Sequence, residues 1–299
     1  MNKCVLTADS GICSINKEDS IIIPAQVVSS NGDTFPDDGN ISNKEILENT
    51  KKGIIYKTSS PLLGDYENTF RKILEDGKDA IHLSMSSGIS SGSVNGANII
   101  ARDLNDKYQN KVYVIDSLTG ATGGTLLYEI AYEEILKNST TSEEIVRKLN
   151  ELKKRIKTSF YVPTIEGYVR SGRDKSSYHL KDSVKLLASH FAKVANFKFR
   201  VDFHESGDLF LKKIFRSSES KGMKKMVMDI INDKTIDMYD PSLIAIGSLY
   251  KDKTDMEEIK NYLLSFNYFN KVIEKDIGSV VAAYGCNDLS GIALVKKYN

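Results

Sequence analysis

Residues Ala80 to Ser93 read AIHLSMSSGISSGS, and this stretch decides the fold. Ala80 to Met85 is a short apolar run of strand length, the kind that parallel sheets bury on both faces. Ser84 to Ser93 is a turn rich in hydroxyls and glycine, and beyond it Ala97, Ile100, Ala101, Leu104 and Tyr108 recur at helical spacing. A strand, a turn and a helix in that order form the unit of a parallel sheet with crossover helices. The unit repeats on either side. Val5 to Thr7, Ile21 to Ile23, Ile54 to Lys57 and Val112 to Asp116 are further strand candidates, and Tyr66, Phe70, Ile73 and Leu74 mark a second helical stripe. A third helix is expected over Thr125 to Lys137. A fourth opens with Thr141 and Glu144 in capping-box spacing, ahead of Ile145, Leu149, Leu152 and Ile156.

The basic run Lys153 to Lys157 marks the expected boundary, which gives domains of 1–157 and 158–299. After it the rhythm changes. A helix is expected around Val184, Leu187, Ala188, Phe191 and Val194. Strands Lys198 to Phe203 and Leu209 to Phe215 flank the turn Glu205-Ser206-Gly207-Asp208 and read as an antiparallel hairpin. A helix over Lys221 to Ile231, a strand at Leu243 to Ile246, a capped helix from Thr254, and strands at Lys271 to Asp276 and Ile292 to Lys297 follow. The expected fold class is α/β: an N-terminal parallel-sheet domain and a C-terminal α+β domain with a mixed sheet.

Composition narrows the function classes. The 299 residues carry 41 Lys+Arg against 40 Asp+Glu, so no net field argues for nucleic acid or an anionic membrane surface. Hydrophobic residues at 40% and charged residues at 27% are ordinary for a globular protein. Cys4, Cys13 and Cys286 are few, odd in number and without a CxxC pair, which points to a reducing cytoplasm rather than a disulfide framework. The apolar run Cys4-Val5-Leu6 is cut by Asp9, too short for a signal peptide, and no stretch reaches the length of a membrane span.

The chemistry lies in where the hydroxyls fall. Strand ends run into four polar turns: Thr7-Ala8-Asp9-Ser10, Thr58-Ser59-Ser60-Pro61, Ser84 to Ser93, and Asp116 to Thr125. In an open α/β sheet the loops at the carboxyl ends of parallel strands share one side, so these turns are expected to converge on one cleft. Two of them open helices, whose free N–H groups favour an anion. A P-loop would need GxxxxGK[ST] and a dinucleotide site GxGxxG, and neither pattern is present, so a small singly charged group such as a carboxylate fits better. A rival pattern, Gly88-Ile89-Ser90-Ser91-Gly92, matches the GxSxG nucleophile elbow and makes Ser90 a candidate esterase nucleophile, with His179, His190 and His204 downstream. His82, inside a strand, reads as a satisfied sheet residue. No spacing supports a metal, and no cofactor is implied.

The order of motifs resembles the DegV family of bacterial fatty-acid-binding proteins, which includes the lipid-carrying subunits of fatty acid kinase. The resemblance spans nearly the whole chain. It is carried by Asp9-Ser10, Ile23-Pro24 followed by Phe35 and Asp37 or Asp38, Thr58-Ser59-Ser60-Pro61 in place of the family's TSQP, and Ser91-Gly92-Ser93 with Ala97. It continues through Asp116-Ser117 with Gly123, Arg170-Ser171-Gly172-Arg173, Phe215-Arg216 and Ile277-Gly278.

The resemblance implies one long-chain fatty acid held between two domains, with Thr58, Ser59 and Ser91 at its carboxylate and Gly92 allowing close backbone approach. It also implies a head-group histidine followed by GPG near the C-terminus. Here Tyr284 stands in that place and the GPG is lost. A tyrosine can donate one hydrogen bond but cannot become a cation, so a carrier of a different amphiphile is the alternative to a fatty acid carrier. Kinase-coupled members present the bound acid to a separate ATP-binding subunit. Arg216, with Lys224 and Lys225 nearby, matches a basic position associated with that docking, and the carrier itself supplies no catalytic nucleophile.

Overall fold

The computed structural model describes residues 4–13, 20–137, 140–164, 196–249, 253–284 and 289–297. Strands β1 (Cys4–Asp9) and β2 (Ser20–Ile23) pair in parallel, and the chain then leaves to build a small antiparallel sheet. That sheet consists of β3 (Gln26–Ser29), β4 (Thr34–Pro36) and β5 (Tyr56–Ser59), with helix α1 (Asn43–Lys51) inserted before β5. The chain returns through α2 (Leu63–Glu75), β6 (Asp79–Ser84), α3 (Ser87–Asn105) and β7 (Val112–Asp116). The result is a four-stranded parallel sheet in the order β2-β1-β6-β7.

The strand expected at Ile54 to Lys57 in the parallel sheet is corrected. It lies at Tyr56–Ser59 and pairs antiparallel to β3. Helix α1 claims the residues before it: Gly53 takes a φ of +93°, and Ile54 N–H closes back on the Asn49 carbonyl at 3.1 Å, the bonding of a glycine-terminated helix end.

Helix α4 (Ala121–Leu136) is the hinge of the architecture. It starts four residues earlier than its apolar pattern suggests, because the polar and glycine residues Thr122 to Gly124 are helical and buried between two sheets. A Cβ on Gly123 would sit 2.0 Å from Thr158 Oγ1, and one on Gly124 would sit 2.8 Å from the Ile12 carbonyl oxygen, so only glycine permits the approach. Its Leu126, Leu127 and Tyr128 pack with Leu6 and Leu83 of the parallel sheet and with Leu243, Ala245 and Ala293 of the second sheet. Helices α2 and α3 cover the opposite face of the parallel sheet through Tyr66, Phe70, Ala97 and Leu104.

Helix α5 (Ser142–Leu152) begins at the foreseen cap, where Thr141 Oγ1 accepts from Glu144 N–H at 3.3 Å. Ile156, read as the last apolar residue of that helix, instead opens strand β8 (Ile156–Val162), since a short 3-10 turn at Lys153–Arg155 ends the helix first. Strands β9 (Phe197–Phe203) and β10 (Leu209–Arg216) form the expected hairpin. Helix α6 (Glu219–Ile230), strand β11 (Tyr239–Ser248), helix α7 (Lys253–Ser265), strand β12 (Val272–Asp276), helix α8 (Ser279–Ala282) and strand β13 (Ser290–Lys296) complete the described chain. The six strands run in the order β10-β9-β8-β13-β11-β12, and only β11 and β12 are parallel, so the sheet is mixed. The helix expected around Val184 to Val194 lies outside the described residues, as do Arg170 to Arg173.

Candidate functional site

The carboxyl ends of β1 and β6 meet where the parallel sheet changes direction, the place where such sheets bind ligands. Asp9 ends β1 there and is fully buried. Its Oδ1 accepts the Tyr66 hydroxyl at 2.6 Å, and its Oδ2 accepts the Ser84 hydroxyl at 2.9 Å and the Met85 amide at 2.7 Å. His82 Nε2 lies 3.3 Å from Oδ1, and its Nδ1 meets Thr7 Oγ1 at 3.0 Å. Burial pushes the Asp9 carboxyl up, but the attraction of the nearby His82 ring and the hydrogen bonds from Tyr66 and Met85 outweigh it and hold the group below the usual carboxylate range. His82 is bonded within the sheet through Nδ1 alone, while its buried Nε2 faces Asp9 without a hydrogen bond.

The loop after β6 is gripped by the second domain. Ser86, fully buried, donates its hydroxyl to the Gly207 carbonyl at 2.7 Å, so the tip of the β9–β10 hairpin sits on the N-terminal loop. Gly207 has a φ of +82°, and a Cβ on it would lie 2.1 Å from Ser86 Oγ. The two segments meet closely, and a Cβ on Gly88 would lie 2.4 Å from the Gly207 carbonyl.

Under this clasp lies an apolar cavity holding about 680 Å³ of space free of protein atoms, part of it continuous with solvent. The N-terminal domain contributes Met85, Ile89, Gly120 and Ala121 to its wall. The C-terminal sheet contributes Phe160, Val162, Val201, Phe203 and Leu209, and the segment around α8 contributes Val280, Val281, Tyr284 and Leu289. No charged side chain is among these described residues.

Of the expected head-group residues, Tyr284 lines this cavity and Thr58 reaches it through Tyr284. Thr58 Oγ1 and Tyr284 OH are 2.6 Å apart, which ties the small antiparallel sheet to the cavity wall. Gly92 faces Ser60, whose Oγ would lie 2.6 Å from a Cβ at position 92, so the turn of Thr58 and Ser59 meets the turn of Ser91 and Gly92. Thr58 is half-buried, and Ser59, Ser91 and Gly92 are exposed. Convergence thus holds, although Thr58 arrives on an antiparallel strand. The apolar wall was not assigned from sequence, because its valines and phenylalanines follow the same alternation as ordinary core residues.

Ser90 does not meet a histidine among the described residues. Its Oγ lies 2.9 Å from Ser93 Oγ, while His82 is held by Thr7 and Asp9, and His204 Nδ1 meets Ser206 Oγ at 3.0 Å. His179 and His190 lie outside the described residues, and the esterase reading finds no support in this arrangement. At the end of the β9–β10 hairpin opposite Leu209, the Arg216 guanidinium lies over the Phe197 ring at 5.1 Å; Lys225 donates to the Arg216 carbonyl, and Lys224 pairs with Glu258 at 3.3 Å.

The sequence matches the model of the DegV family, described as an uncharacterised protein family, over residues 6–297. It is 31% identical over 173 residues to a protein of Thermotoga maritima described as a fatty acid-binding protein, a match that covers 56% of this chain and 58% of that one. A DegV domain-containing protein of Clostridium acetobutylicum is 26% identical over 265 residues, with 88% of this chain and 87% of the relative covered. Among solved structures, a DegV family protein from Eubacterium eligens loaded with heptadecanoic acid superposes with a TM-score of 0.82 at 17% identity, covering 98% of this chain and 100% of that one. The Streptococcus pneumoniae fatty acid kinase B3 protein loaded with linoleic acid gives a TM-score of 0.82 at 17% identity, covering 99% and 100%. At these identities the likeness is one of fold.

Proposed function

The chain belongs to the DegV family, and from that premise we propose that it carries one long-chain fatty acid in the seam between its domains, taken as 1–157 and 158–299. One observation carries the reading: both domains line a single uncharged cavity, and the hydroxyl pair Thr58 and Tyr284 stands at its edge. Burying roughly fourteen methylenes contributes on the order of 11 kcal/mol gross at about 0.8 per methylene, whereas a hydrogen bond to a head group nets about 1 to 3 kcal/mol. The tail supplies affinity and the head group sets direction. The protein is then a cytoplasmic carrier rather than an enzyme, and Ser59, Ser91 and Gly92 complete the head-group turn. Arg216 and Lys224 form the surface proposed to meet an ATP-binding kinase subunit. Among the described residues no helix is long and apolar enough to cross a membrane.

Native mass spectrometry of the protein purified from cells tests the reading, and a stoichiometric long-chain fatty acid is the expected result. A chain that emerges empty and also refuses added oleic or palmitic acid refutes it. Because the tail dominates, Thr58→Val and Tyr284→Phe are each expected to weaken oleic acid by no more than about tenfold, the worth of about one hydrogen bond. Displacement of a fluorescent fatty acid measures this. Tyr284 also favours a second reading, a different amphiphile, which predicts that Tyr284→His raises oleic acid affinity in the same assay. An unchanged affinity removes its support.

A further inference from the structure

Two glycines stand behind one residue of the cavity wall. Met85 lines the cavity and is 5% exposed. A Cβ built on Gly11 would lie 2.6 Å from its Sδ, 3.0 Å from its Cγ and 3.1 Å from its Cε. A Cβ built on Gly120 would lie 3.1 Å from both Sδ and Cε. Neither glycine takes a left-handed φ, so the backbone at both positions is open to a residue with a side chain. What excludes a side chain there is the tip of Met85.

The recess between the glycines has fixed walls. Gly11 follows β1 and Gly120 precedes α4, and the Ala121 amide donates to the Gly11 carbonyl at 2.8 Å, which fastens the two segments together. The Met85 amide donates to the buried Asp9 Oδ2 at 2.7 Å, so its main chain is anchored as well. The side chain is left to move. Methionine is unbranched, with three rotatable bonds, and fits itself to irregular gaps. Its tip lies either in the recess or in the cavity, and space yielded on one side is taken on the other.

We propose that Met85, seated against Gly11 and Gly120, is a specificity-determining residue that sets how much acyl tail the cavity holds. A residue larger than glycine at position 11 turns the thioether into the cavity and shortens the tail accepted. A smaller residue at position 85 opens the recess and lengthens it. Asp9 acts through Met85 and is a positioning residue. The inference rests on the fatty-acyl reading and adds the feature that selects chain length.

Displacement of a fluorescent fatty acid by lauric, stearic and arachidic acids tests it, read as ratios of their affinities. Each methylene denied a place in the cavity changes an affinity by about fourfold. Gly11→Ala is expected to lower the preference for stearic over lauric acid by about fourfold or more. Adding Met85→Ala to that variant should restore the preference, since the new Cβ then meets no thioether. A general loosening by Gly11→Ala would instead weaken both acids alike and persist in the double variant. Met85→Ala alone should raise arachidic acid relative to stearic acid by a similar factor, a check independent of whether Gly11→Ala folds. Ratios that keep their natural values in both single variants overturn the inference and leave the fatty-acyl reading standing. A natural chain that binds none of the three acids overturns that reading itself.

Discussion

Replacing Gly88 with alanine is expected to lower the melting temperature by about 6–12 °C and to free the β9–β10 hairpin for proteolysis. The added Cβ would lie 2.4 Å from the carbonyl carbon and oxygen of Gly207 and 2.6 Å from the amide nitrogen of Asp208. These are backbone atoms, so no rotamer change relieves the clash. One chain must move, and with it the 2.7 Å bond from Ser86 to Gly207. Overpacking of this kind costs about 3 kcal/mol, and about 2–4 °C of melting temperature follows each kcal/mol in a chain of this size class. Gly64 provides the control, since a Cβ there meets nothing within 4 Å and its φ is ordinary. Gly64→Ala is expected to be neutral or slightly stabilising. Equal melting temperatures for the two variants, measured by circular dichroism, would show that the clasp opens without cost. Cleavage of the hairpin by a dilute protease reports whether the loss is local or global.

Asp9→Ala is expected to destabilise the chain by about 3–5 kcal/mol at neutral pH, the range for leaving a buried polar network without its centre. Tyr66, Ser84 and the Met85 amide all lose their acceptor in a site with no water access. The effect has a defined pH dependence. The native carboxyl lies below the usual carboxylate range, while in the unfolded chain it titrates near about 3.9. The stabilisation is therefore fully present above about pH 4 and declines as pH falls through the lower native value. Urea unfolding at pH 7 and then stepwise through the acid range tests this. A gap between natural chain and variant that stays constant down to the lowest pH at which both fold would show that Asp9 stabilises by packing and not by charge.

Local patterns carried much of the architecture. The alternation of apolar runs with helical stripes specifies a parallel sheet, because a strand buried on both faces must be apolar throughout and a covering helix must be apolar on one side. Thr141 with Glu144, and the hairpin around Gly207, lie where short-range chemistry puts them. The misplacements have equally local causes. Ile54 has the composition of a strand, but the helix end at Gly53 takes it, and Ile156 continues an apolar stripe that a 3-10 turn interrupts. Helix α4 begins before its apolar pattern because its first turn is packed from both sides, and glycine and threonine fit that space better than larger residues.

The amino-acid sequence by itself determined the class of fold, the hydroxyl-rich turns, and through its motif order the family, since these depend on neighbours a few residues apart. Only the tertiary structure decided that Thr58 meets Tyr284 across 226 positions, that Gly207 rests on Ser86, and which valines and phenylalanines face empty space. The reason is physical. Periodicity tells which side of an element is apolar, but whether that side meets another side chain or a void depends on how far apart two sheets stand, and helix α4 sets that separation from between them.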